Sequence, residues 1–265
     1  MVTAPRPWPY ARVLAHRGGG TLAPENTIGA IRVGIAHGYR AIEFDAMLPR
    51  DDVPILMHDP ELGRTVAGGG AVTAHTAAEL VRLDAGRWHS PRFRGEPVPT
   101  LEEALAFCRR EGVWCNVEIK PAPGREAATG RVVALTVAAA WADRVRSGGA
   151  RQANVDPSVP LLSSFSTDAL EAARAAVPDL PRGWLVDRVP SGWQARFEAL
   201  GCVAVHTNHR HLTRARAAEI KAGGAWLFCY TVNDPERARE LLAWGVDAFC
   251  TDRIDLIGAD FAARA

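Results

Sequence analysis

The chain lacks an apolar run long enough to cross a bilayer. Its longest, residues 134–142, stops at Asp143, far short of the roughly 20 residues a membrane-spanning helix needs. No secretory leader is expected, because prolines at positions 5, 7 and 9 interrupt the stretch that would have to be continuously apolar. Charge of one sign is absent: 31 Lys and Arg face 30 Asp and Glu, a formal net of +1. That balance gives no electrostatic footprint for nucleic acid or an anionic membrane, while leaving room for a local basic pocket. Cysteine is scarce, and Cys108, Cys115, Cys202, Cys229 and Cys250 show no paired spacing. Four of them lie in apolar strand-like runs, as buried thiols do in a reducing compartment. The glycines Gly18, Gly19 and Gly20 are not followed by Gly-Lys-Ser/Thr, which excludes a P-loop and leaves a tight turn as their use. These absences predict a soluble, cytoplasmic protein with no stable membrane association. A hydrophobic fraction of 48% is what a packed α/β domain requires, so the oligomeric state stays open.

What is present is alternation. Strand-like runs at 12–15, 41–46, 114–119, 160–165, 183–186, 202–206, 225–232 and 246–250 are separated by helical patterns at 26–36, 100–110, 167–176 and 234–243. Eight β units alternating with α units in 265 residues predict a TIM (β/α)8 barrel. Asn26 is the expected cap of the first helix. The remaining run, 53–57, follows the polar turn 49–52 and reads as a hairpin partner of the second strand, returning His58 to the level of Asp45. Residues 59–99, with three consecutive glycines at 68–70, then form an insertion predicted to cap the barrel mouth.

The polar residues at the strand ends carry the chemistry. Two histidines, His16 and His58, each close an apolar run, and Glu43 with Asp45, and Glu118 with Lys120, sit two apart on their strands. Residues two apart share a face at roughly 6 to 7 Å. Burying such groups without partners costs several kcal/mol each, so an active site bearing a cation is the economical explanation. Phe165, Tyr230 and Asn233 fall where the barrel mouth should be. Of the cluster at 206–211, only His206 and Asn208 share a face able to line a pocket, leaving His209 and His211 to a solvated loop. His37, His75 and His89 read as surface residues, and Thr251-Asp252 as a pair that closes the barrel by hydrogen bonding.

The chain resembles the glycerophosphodiester phosphodiesterases. The matching motifs run in order from Ala15-His16-Arg17-Gly18 and Ala23-Pro24-Glu25-Asn26-Thr27 through Glu43-Phe44-Asp45 and Leu56-Met57-His58-Asp59. They continue through Pro99-Thr100-Leu101-Glu102, Asn116-Val117-Glu118-Ile119-Lys120, Leu162-Ser163-Ser164-Phe165, Tyr230-Thr231-Val232-Asn233 and Cys250-Thr251-Asp252. Stretches at 8–10, 83–86, 96–97 and 201–203 are similar in particular to the short cytoplasmic bacterial members of Ugp type. Gly63 and the Trp88-His89-Ser90 stretch depart from the family pattern outside the catalytic set.

The resemblance implies one glycerophosphodiester phosphodiesterase domain over 1–265, a barrel of the PLC-like phosphodiesterase type with the insertion at 59–99 after its second strand. It implies hydrolysis of small glycerophosphodiesters, such as glycerophosphocholine and glycerophosphoethanolamine, to sn-glycerol 3-phosphate and an alcohol. Glu43, Asp45 and Glu118 are the implied ligands of one divalent cation, Mg²⁺ or Ca²⁺, since a set with no histidine or cysteine donor is a hard oxygen site. Arg17 and Lys120 are assigned to the phosphoryl oxygens, His16 to the general base and His58 to the general acid. Phe165, His206, Asn208, Tyr230 and Asn233 are candidates for the pocket around the glycerol or leaving alcohol. A cyclic phosphate intermediate and direct attack by water remain alternatives. A lysophospholipid-directed phosphodiesterase and a non-catalytic phosphate binder are the competing functions. Glycoside hydrolysis would leave the histidines and cations without a role.

Overall fold

The computed structural model describes residues 7–145, 151–152 and 155–264; residues 1–6, on which part of the expectation about a leader rests, lie outside them. Nine strands form one sheet: β1 Val13–Ala15, β2 Ala41–Met47, β3 Ile55–Leu56, β4 Trp114–Ile119, β5 Leu161–Ser164, β6 Arg182–Val186, β7 Ala204–Asn208, β8 Trp226–Tyr230 and β9 Ala248–Thr251. Eight of them pair in parallel in the order β1, β9, β8, β7, β6, β5, β4, β2, and β1 pairs with β2 to close the barrel. The predicted TIM (β/α)8 barrel is therefore the fold, and all eight predicted strand runs are its strands. The sixth run, which is β7, is displaced: 202–206 was expected and Ala204–Asn208 is found.

The barrel closes because its strands are buried on both faces, as the near-continuous apolar runs require. Helices such as Leu101–Glu111, Glu126–Ala140 and Thr167–Ala176 cover the outside with an apolar face that includes Leu105, Val133 and Leu170. The strand starts are plugged by aromatics: Tyr10 stacks on Trp114 at 3.9 Å, and Trp8 meets Trp226 edge-on at 5.4 Å. Polar groups are thereby left to the other end, the C-terminal ends of the strands, where barrels of this type carry their chemistry. Among the described residues no helix is long and apolar enough to cross a membrane.

The leftover run is the antiparallel partner of β2, as its turn chemistry predicted. The pairs Met47 with Ile55 and Ala46 with Leu56 set a register that places Met57 opposite Asp45, its N–H donating to the Asp45 carbonyl at 3.1 Å. His58 thus lies one residue beyond the predicted level: with the turn centred on Asp51, as expected, it is Met57 that stands opposite Asp45. Residues beyond it build a satellite core of Val66, Val72, Ala77, Leu80, Ala85 and Val98 on Met47, Ile55 and Met57. Glu96 ties this segment to the first helix by accepting from the Gly29 N–H at 2.6 Å.

The first helix, Ile28–Ala36, is capped by Thr27 and not by Asn26: the Thr27 hydroxyl accepts from the Ala30 N–H. Asn26 has the left-handed φ of 59°, outside the extended region an N-cap takes, and its side chain is used elsewhere. Glu126–Ala140 and Thr167–Ala176 approach so closely at Gly130 that a Cβ there would lie 2.0 Å from the Ala169 carbonyl oxygen. Alanine improves helix propensity by about 1 kcal/mol, but a backbone clash of this size outweighs it. Gly130→Ala is expected to destabilise the fold by about 1–3 kcal/mol in denaturant unfolding; a stabilised variant would refute the close approach.

Candidate active site

Glu43 and Asp45 alternate with Phe44 on β2, so both point into the barrel, and the β2–β4 register sets Asp45 beside Glu118. All three are buried, and each offers a carboxylate oxygen within 4.8 Å of the others. Positive charge reaches them from two side chains. Lys120 Nζ lies 2.9 Å from Glu118 and 3.7 Å from Asp45, while Arg17 Nε lies 3.5 Å from Asp45. Arg17 takes a left-handed φ of 50°, a conformation costly for a residue with a Cβ. It lets the Arg17 backbone N–H donate to Glu43 at 3.2 Å while the guanidinium turns to Asp45 and Glu25. Asn26 satisfies Asp45 twice over, its Nδ2 donating to the carboxylate at 2.8 Å and its Oδ1 accepting from the Asp45 N–H at 3.0 Å.

This compensation is incomplete. Burial and the charge of Asp45 push Glu43 up to about 7 and Glu118 up to about 8. For Asp45 burial acts upward, but Arg17, Lys120 and His58 outweigh it and hold the carboxyl below its usual range. Three oxygen donors whose like charges crowd one buried spot fit a metal ion, which removes the repulsion that a proton otherwise relieves.

Both histidines are held by an aspartate at the same ring atom. His16 Nδ1 lies 2.5 Å from Asp252 Oδ1, leaving Nε2 toward Glu43 at 3.7 Å. His58 Nδ1 lies 2.6 Å from Asp59 Oδ1. Such contacts fix Nδ1 as the protonated position and leave Nε2 to exchange a proton. Burial opposes charge on His16, but the Asp252 hydrogen bond and the charges of Glu43 and Asp252 prevail and raise it. Burial leads for His58 as well, and with Arg17 and Lys120 it leaves that imidazole lowered despite Asp45 and Asp59. Asp59 is drawn down to about 2, chiefly by its hydrogen bond with Arg64 and despite some burial. Arg64 also donates to Glu25, which accepts from Arg17 at 2.7 Å. An ionic chain therefore runs from Asp59 to Arg17 beside the carboxylates.

Arg17, Glu43, His58, Glu118 and Lys120, with Phe165, His206 and Tyr230, line a cavity of about 310 Å³ at the barrel mouth. Phe165 lies under Lys120 and edge-on to Tyr230. Two of the expected pocket residues do not line it. Asn208 ends β7 and donates to Asp187 at 2.9 Å. Asn233 stands behind His16: its Nδ2 donates to Asp252 at 2.9 Å and its Oδ1 accepts from the Asp252 N–H. His89 is not a free surface residue, since its Nε2 meets the Thr21 carbonyl at 3.0 Å, and His75 and His209 are half-buried as well. Sequence reading missed the site roles of Asp252 on His16, Asp59 on His58, Asn26 on Asp45, and Arg64 on Asp59. Asp252 carried a usable signal, a carboxylate just past the last barrel strand at the catalytic end. Arg64 carried none.

A parallel barrel with two aspartate-backed histidines beside a carboxylate cluster and two fixed cations defines a phosphoryl-transfer class of site. Residues 16–256 match the glycerophosphoryl diester phosphodiesterase family, and the chain belongs to that family. It is 32% identical to a phosphodiesterase of Oleispira antarctica solved in complex with the product sn-glycerol-3-phosphate, with 96% of this chain and 97% of that one covered and a TM-score of 0.83. A glycerophosphodiester phosphodiesterase of Bacillus subtilis is 30% identical over 92% of this chain and 84% of its own length. One from Caldanaerobacter subterraneus is 29% identical over 91% and 93%.

The raised carboxyls give a signed pH dependence. In the metal-free fold Glu43 and Glu118 keep protons that the unfolded chain has already lost, so their contribution to stability is present below the ordinary glutamate range and is lost as pH rises through about 7 to 8. Added divalent cation is expected to raise Tm more at pH 8 than at pH 6, with proton release on binding at the lower pH. Equal stabilisation at both, in calorimetry of wild type against Glu118→Gln, would remove these carboxyls from the cation site.

Proposed function

We propose that the protein hydrolyses small glycerophosphodiesters to sn-glycerol 3-phosphate and an alcohol by histidine acid/base catalysis with a divalent cation. The observation that carries this reading is the pair of aspartate-backed histidines, His16 and His58, lining one cavity with Arg17, Lys120, Glu43 and Glu118, the last two clustered with the buried Asp45. The sn-glycerol-3-phosphate bound by the Oleispira relative supports the product assignment.

The glycerol unit carries a hydroxyl next to its phosphate ester, so attack on phosphorus is intramolecular and gains from proximity. His16 accepts the hydroxyl proton at Nε2 as the new O–P bond forms, with Asp252 stabilising the imidazolium. The bond to the leaving alcohol breaks, and His58, held at Nδ1 by Asp59, supplies that oxygen with a proton from Nε2. Arg17 and Lys120 donate to the phosphoryl oxygens as charge gathers there. Water then opens the cyclic phosphate with the two histidines in reversed roles. Glu43, Asp45 and Glu118 would hold a divalent cation, Mg²⁺ or Ca²⁺ by their oxygen-only chemistry, which would supply positive charge to offset the charge developing in the reaction.

We read residues 1–265 as one catalytic domain with 59–99 as its cap. Five buried free thiols support a reducing, cytoplasmic setting, where we place the enzyme in the recycling of phospholipid headgroups. Glycerol 3-phosphate release from glycerophosphocholine should vanish on chelation and return with Mg²⁺ or Ca²⁺. His16→Ala and His58→Ala should each lower turnover by about 10²- to 10⁴-fold with unchanged circular dichroism. Near wild-type turnover in either variant would strike that histidine from the mechanism.

A further inference from the structure

Two residues in the cavity take no part in the mechanism and hold buried polar atoms without a partner. His206 is fully buried with neither ring nitrogen hydrogen-bonded, and Asn116 is buried with its Oδ1 unpaired. Both line the same cavity as the catalytic histidines. Their placement is built in. Asn116 Nδ2 donates to Ser163 at 3.2 Å, and Ser163 pairs in register with Gly183. The His206 ring lies against Gly183, where a Cβ would come 2.5 Å from Nε2, and stacks on Phe228 at 4.5 Å. A glycine on β6 and an aromatic on β8 thus make a slot for one imidazole.

Leaving a buried donor or acceptor unpaired is costly, so a ligand group complementary to these atoms gains what they otherwise forgo. Burial drives His206 down to about 3, so the ring is neutral at working pH, with one nitrogen donating and one accepting. A phosphate oxygen offers no proton to Asn116 Oδ1 or to the accepting nitrogen of His206, and an ammonium offers no acceptor to the donating one. A hydroxyl both donates and accepts, and it suits both groups.

The geometry points to His206, in the cavity that Asn116 Oδ1 also lines, as the subsite that reads the glycerol hydroxyl which neither attacks nor carries the phosphate. The inference rests on the function proposed above and narrows its substrate class to diesters of free glycerol. A 1-acyl lysophospholipid has an ester at that oxygen, with no proton to donate and added bulk, and is rejected.

The test uses glycerophosphocholine and the analogue with propane-1,2-diol in place of glycerol, which lacks only this hydroxyl. Wild type should show kcat/KM lower by roughly 10- to 100-fold for the analogue. Calorimetry should show propane-1,2-diol phosphate binding more weakly than sn-glycerol 3-phosphate by a similar factor. In His206→Leu the gap should close, because glycerophosphocholine falls while the analogue is unchanged; a purely structural residue would lower both alike. Equal wild-type values for the pair, or a gap that persists in His206→Leu, overturns the subsite and leaves the function standing. If His206→Leu does not fold, the wild-type substrate and product pairs decide. Absence of turnover of any glycerophosphodiester by folded protein with either cation overturns the function itself.

Discussion

Three carboxylates forced into one buried spot set the terms for the rest of the mouth of this barrel. Strand alternation and the β2–β4 register bring Glu43, Asp45 and Glu118 together, and burial denies them the water that would screen their repulsion. Each nearby irregularity relieves part of that cost. Arg17 accepts a left-handed backbone to face the acids with both its N–H and its guanidinium. Asn26 leaves the helix cap to Thr27 and brackets Asp45 with two hydrogen bonds. Lys120 spans Glu118 and Asp45. The relief stops short of neutrality, as the raised Glu43 and Glu118 show, and a stable but unsatisfied charge cluster is a poised one.

The histidines repeat one device on opposite sides of that cluster. An aspartate at Nδ1 selects the tautomer and leaves Nε2 for proton exchange. The two supports differ in origin: Asp252 belongs to the last barrel strand's end and is fixed by Asn233, whereas Asp59 begins the insertion and is fixed by Arg64. One histidine is thus tied to barrel closure and the other to the docking of the insertion. Glu25, which joins Arg64 to Arg17, makes the position of the insertion a matter of active-site electrostatics.

Most of this frame was legible in the sequence, for physical reasons. Buried parallel strands write themselves as apolar runs, and eight such runs with helical patterns between them have few other solutions. The hairpin was legible because a polar turn of a few residues permits little else. The acidic triad, His16, His58, Arg17 and Lys120 were legible because charged residues on core strands demand a reason. Contacts between side chains far apart in the chain were not legible. Nothing local tells that Asp252 meets His16 across 236 positions, or that Asn233 faces Asp252 and not the cavity. The Asn26 error is of the same kind: its composition suits a cap, and only the left-handed φ shows otherwise. Register explains the Asn208 error, since a strand displaced by two residues carried that side chain to the rim.

The central claim is that Glu43, Asp45 and Glu118 hold a single divalent cation between them. Anomalous diffraction from crystals grown with Mn²⁺ or Ca²⁺ tests it most directly. One peak is expected within bonding distance of all three carboxylates, lost in Glu118→Gln crystals that keep the fold. A map of cation-activated wild-type enzyme with no peak among these residues, or with its peak elsewhere in the cavity, would contradict the account.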